Sequence, residues 1–199
     1  AIHCLSLHLQ NRDMDDSLFY NMFESRMEQD LLKICRNHGM LENHLLQSDD
    51  INDKWNSYAP EYMAQSVKEI ADYPTVAIAW AAYIGMAVAC WWNRDWDKLK
   101  EQPYSVLQGE RGFDDMDEHI VRDILGLQLE GAEAKKIENV IHSCAEHALG
   151  LIRREGIEPQ SKKAFYVYAR TEQVMFKIGA AIELHRLGYE YTRLDQKDC

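Results

Sequence analysis

Apolar residues recur by threes and fours along nearly the whole chain, the period of helices that bury one face. One stretch departs from that alternation. From Thr75 to Trp92 no residue carries a charge, and the only hydroxyls are those of Thr75 and Tyr83. Ala77, Ala81, Gly85 and Ala89 fall four apart, which at about 100° per residue makes a slowly drifting ridge of minimal side chains. Trp80, Ile84, Ala87 and Trp91 form a second stripe beside it. A helix apolar all round is the buried centre of a helical domain or a membrane span. The spacing predicts a buried helix over 74–92, met closely by a neighbour along its small-residue ridge.

The remaining periodic segments predict its surroundings. A helix is expected over 16–38, with Tyr20, Phe23, Met27, Leu31, Ile34 and Cys35 on one face and Gly39 ending it. Ser48, Asp49 and Asp50 cap about two turns containing Ile51 and Trp55, and Pro60 starts another helix over 60–71. Helices follow at 114–129, 132–154 and 160–187. The last is apolar over more than half its circumference, and Gly179, Ala180 and Ala181 would let it approach the alanine ridge. Residues 93–112 predict an irregular connector anchored by Trp96, Leu99 and Tyr104. In residues 1–14, Leu5, Leu7 and Leu9 alternate with polar residues, which suggests a short extended N-terminal extension. The organisation expected is one all-α domain over 15–190, a bundle of about six main helices around 74–92, with a tail at 191–199.

Composition narrows the functions. A net charge of −11 disfavours nucleic acid, whose binding rests on neutralising phosphates. Five cysteines without a CxxC pair read as reduced thiols in a cytoplasmic protein. The membrane reading of 74–92 meets two objections: about 27 Å of helix falls short of a core of about 30 Å, and the flanks show no positive-inside bias.

No histidine has an acid three residues before it, and HExxH is absent, so no metal is expected. Glu138, His142 and Glu146 stand at successive four-residue steps, on a face opposite the seam of Ile137, Cys144 and Ala148. That is the pattern of a solvated face. Acids inside apolar arcs are more informative, because an unpaired buried carboxylate shifts its pKa or finds a partner. Glu172, Glu24 and Asp123 are such acids, with His147, His185 and Arg186 beside them as partners in a candidate interior site. Trp96 and Arg111 mark a candidate surface on the connector. Nucleotide-binding and nucleophile motifs are missing, and no cofactor is indicated. The expectation is a non-enzymatic binding, scaffold or homo-oligomeric module. The alternatives are a small-molecule or metal-dependent helical enzyme built on the interior carboxylates, and a membrane-associated protein through 74–92; a small-molecule ligand is compatible with either soluble reading.

Overall fold

The computed structural model describes the backbone of residues 2–191 and the side chains from Asp16 onward; the rest of the expected tail lies outside the described residues. Six α-helices appear in it: α1 (Ile2–Asn37), α2 (Asp49–Glu69), α3 (Pro74–Leu99), α4 (Met116–His119), α5 (Ala132–Arg154) and α6 (Lys162–Arg186). No strand occurs among the described residues, and the chain is the expected all-α bundle.

The centre is α3. Every residue from Ala81 to Trp91 is buried, with α2, α5 and α6 packed around it. α6 runs parallel to α3 along the alanine ridge, from Tyr168 beside Ala77 to the residues beside Gly85, and the contact there is backbone to backbone. A Cβ added at Gly85 would overlap the Phe176 carbonyl oxygen and stand 2.8 Å from the Ala180 nitrogen. One added at Gly179 would overlap the Ala82 carbonyl. Each helix thus seats a glycine on the other's carbonyl, an arrangement that permits Cα–H···O contacts. α1 closes the outside of α5 and α6 with Met27, Leu31 and Cys35. α3 is also the one described helix long and apolar enough to cross a membrane. Its faces are occupied by protein.

Several expectations are corrected. Helix α1 begins at Ile2, so residues 2–14 are helical and not extended. Residues 1–38 hold neither proline nor glycine, and nothing stops a helix from propagating back through them. The separate helices expected on either side of Pro60 are one helix, with Pro60 inside α2. The buried side chains Trp55, Tyr58, Tyr62 and Met63 hold both halves to the core. Helix α3 runs past Trp92 to Leu99, bent where Asp95 leaves helical geometry (φ −164°, ψ 80°). The connector is correspondingly shorter, with a 3₁₀ turn at Tyr104–Leu107. The helix expected over 114–129 is only α4 and a π-helical turn, Ile120–Ile124. Leu125 N–H donates to the Ile120 carbonyl at 2.9 Å, and Gly126 then turns the chain away at φ +73°.

Candidate functional site

The residues singled out as an interior group do not converge. Glu24 pairs with Arg170 and reaches Lys177 at 3.8 Å, between α1 and α6. Asp123 meets His119 at 2.8 Å and Arg122 at 3.0 Å on the surface. His147 meets Asp30 at 2.9 Å, joining α5 to α1. Arg186 forks onto Glu183 at 2.7 and 2.8 Å and reaches Glu133 at 3.0 Å. His185 borders a shallow crease with Leu41, Leu46 and Tyr189. Trp96 packs at the edge of the core, and Arg111 is exposed, its backbone N–H bonded to Asp115 at 3.1 Å. Long side chains at the margin of an apolar arc reach out to partners in this way.

Glu172 alone goes fully inside. It is completely buried, and neither carboxyl oxygen has a hydrogen-bond partner among the described residues; the nearby Ser66 Oγ has none either. Burial drives its pKa well above the ordinary carboxylate value, and the adjacent Tyr168 and Tyr62 hydroxyls oppose this only in part. Both hydroxyls donate to the Ala77 carbonyl instead, Tyr168 at 3.2 Å. Burial thus favours the neutral acid form of Glu172, packed inside the bundle. None of the principal cavities is lined by it.

A different group converges where α3, α4 and α5 meet. A cleft of about 170 Å³ opens there, lined by Thr75, Val76, Ala79, Trp80, Tyr83, Asp117, Glu138, Ile141 and His142. Trp80 and Tyr83 are three residues apart on α3, so both face α5, with ring centroids 5.7 Å apart and edge to face. The Trp80 indole N–H is already used on the Phe113 carbonyl at 2.7 Å, which leaves its apolar ring to the cleft. Tyr83 is 4 % exposed, and its hydroxyl makes no hydrogen bond to any described residue. Burial raises its pKa, and the charges of Asp117 and Glu138 add to the effect.

Asp117 stands in the first turn of α4. Burial lifts its carboxyl to about 6, opposed by backbone N–H groups and reinforced by Glu118 and Glu138. Neither Asp117 nor Glu138 has an ion-pair partner among the described residues. At the rim, Glu146 accepts from Thr75 Oγ1 at 3.0 Å and lies 3.9 Å from His142 Nε2. No group of three or more His, Cys, Asp and Glu side chains suited to a metal occurs among the described residues.

Glu138 and His142 are exposed, as their solvated face predicts. The sequence reasoning missed Trp80, Tyr83 and Asp117 as site residues. The available signal was the Trp80–Tyr83 pair on the face of α3 turned to α5. Compared with protein-family models, curated proteins and solved structures, the chain matches none.

Proposed function

We propose that the protein is a non-enzymatic binding module that holds a small ligand in the cleft between α3, α4 and α5. The observation that carries this reading is the Tyr83 hydroxyl, held by a side chain almost wholly buried, left without a partner and opening on two unpaired carboxylates. The Tyr83 oxygen reaches the cleft from a buried ring, and a concave site with apolar walls and a few convergent polar groups is the usual form of a ligand site. Glu24, Asp123, His147 and Arg186 are tied into separate ion pairs, an arrangement suited to holding the bundle together rather than to acid–base chemistry. A thermal-shift screen with acidic, neutral and basic small molecules tests the reading. Compounds should raise the melting temperature of the wild type and lose that effect with Glu138→Gln. If no compound stabilises the protein, or every one does so equally in the variant, the cleft is not the binding site.

A second reading, self-association, is favoured by a groove of about 630 Å³ along α2. Pro60, Met63, Val67 and Phe165 line it, and Val67 and Phe165 are about half exposed. Sedimentation would show a dimer that Val67→Glu dissociates; a monomer at all concentrations would contradict it.

A further inference from the structure

The proposed binding cleft also has a chemistry that selects its ligand, and the assignment of that ligand rests on the binding function. We infer that the cleft between α3, α4 and α5 is a site for a primary alkylammonium group, with the nitrogen held by Asp117, Glu138 and Tyr83 and the alkyl stem against Trp80, Val76 and Ile141.

Three observations meet here. First, three of the polar groups lining the cleft act as acceptors toward a cation. Asp117 and Glu138 come from different helices, α4 and α5, and lack cationic partners, and the Tyr83 oxygen is free to accept. An ammonium has three N–H donors and no acceptor, which matches three such oxygens. Second, burial already disfavours the Asp117 carboxylate and the nearby Glu138 charge adds a little to that, so a cation beside them removes a cost already present in the folded protein. An anion would add to it. Third, apart from Thr75 and His142, the rest of the lining is apolar or aromatic: Val76, Ala79, Trp80 and Ile141. A bare calcium or magnesium ion has no use for such a wall and needs six or more oxygens around it, and no group of three metal-ligating side chains occurs among the described residues. An alkyl chain does use it, and an ammonium beside an indole ring gains from the ring's negative face. The net charge of −11 draws cations toward the surface from a distance.

The same head group occurs on small free amines and on lysine side chains. n-Pentylamine and N-acetyl-lysine-N′-methylamide separate these sources, with 1-pentanol and pentanoate as neutral and anionic matches of the stem. Binding is followed by the indole N–H signals in a two-dimensional NMR spectrum, where Trp80 reports the cleft. The amine should shift the Trp80 signal saturably while both controls leave it unmoved. Glu138→Gln, a change at the exposed rim that leaves the fold intact, should weaken amine binding about tenfold. The Trp55 signal inside the core should stay put in every titration. Tighter binding of the lysine derivative than of pentylamine assigns the site to a protein-borne lysine, and the reverse order to a free amine. If pentanol or pentanoate shifts Trp80 as strongly as the amine, the cleft binds ligands and the ammonium assignment is overturned. If the amine shifts nothing while the thermal-shift screen finds cleft ligands, the assignment alone fails. If both experiments are blank, the binding reading fails with it.

Discussion

Replacing Gly85 or Gly179 with alanine probes the contact on which the bundle is built. In an isolated helix the change stabilises by about 1 kcal/mol, because glycine is the poorer helix former. Here the new methyl would fall short of an ordinary carbon–oxygen separation of about 3.3 Å by more than about 1 Å. Its neighbours are backbone atoms, the Phe176 carbonyl for Gly85 and the Ala82 carbonyl for Gly179, and neither can rotate away. The helices must part, and a gap of even 0.5–1 Å forfeits roughly a quarter to a half of each contact along the seam. Overpacking of this kind costs about 1–3 kcal/mol, sometimes more. Backbone neighbours put the cost in the upper half of that range, so net of helix propensity each alanine should destabilise by about 1–2 kcal/mol, a fall of roughly 2–8 °C in melting temperature for a chain of this length. Because both methyls push the same pair of helices apart, the double variant should lose less than the sum, by at least about 0.5 kcal/mol. Urea unfolding followed by circular dichroism measures all three. Gly150, whose added Cβ would meet only the Arg154 guanidinium at 3.9 Å, is the control and should stabilise as alanine by about 0.5–1 kcal/mol. If Gly85→Ala and Gly179→Ala stabilise as Gly150→Ala does, the close α3–α6 contact is wrong.

Other outcomes follow from the buried ionisable groups. The folded protein keeps Glu172 protonated while the unfolded chain releases its proton, so wild-type stability should decline as pH rises above about 4.5. Glu172→Gln removes that decline, worth up to about 1.4 kcal/mol per pH unit; urea midpoints at pH 5 and pH 8 that change in parallel for the two proteins would contradict it. Asp117 has the same sign over a narrower window: Asp117→Asn should melt higher than wild type at pH 8 and equally at pH 4, and an advantage that persists at pH 4 would point to another cause. Cys35 and Cys144, buried with sulfurs 3.7 Å apart, should resist iodoacetamide in the folded protein and react after urea, since the paired thiol and burial raise the Cys144 pKa well above its usual value. Peptide mass spectrometry reads the labelling, and rapid modification of either in the native state would refute it.

The scaffold was legible because small residues at a fixed spacing leave few alternatives. Ala77, Ala81, Gly85 and Ala89 require a close partner, and Gly179 stands on the one other helix apolar enough to supply it. α5, with a regular seam between Gly131 and Gly156, begins and ends as expected. Pro60 was misread because a proline that opens one helix and a proline inside a longer one leave the same local pattern; the packing of Trp55 and Tyr62 decides between them. The π-helical turn at Ile120–Ile124 depends on a single displaced hydrogen bond, which apolar spacing does not encode. The site was less visible still. Glu24, Asp123 and His147 lie at the edges of apolar arcs, and periodicity cannot tell an edge that reaches outward from one that turns in. Glu172, central in its arc, did turn in. Asp117 lies 34 residues after Tyr83 in a run of acids that looks uniformly solvated. Only the short α4, set against α3 and α5, brings it to the cleft.

The cleft's electrostatics are open to one direct measurement, a carbon-detected NMR titration of the Asp117 carboxyl with and without n-pentylamine. The carboxyl should titrate near 6 in the free protein and move downward when the amine is present, because a bound cation favours the ionised form. A midpoint near the ordinary aspartate value, unmoved by the amine, would contradict both the uncompensated acid in the cleft and its role in binding.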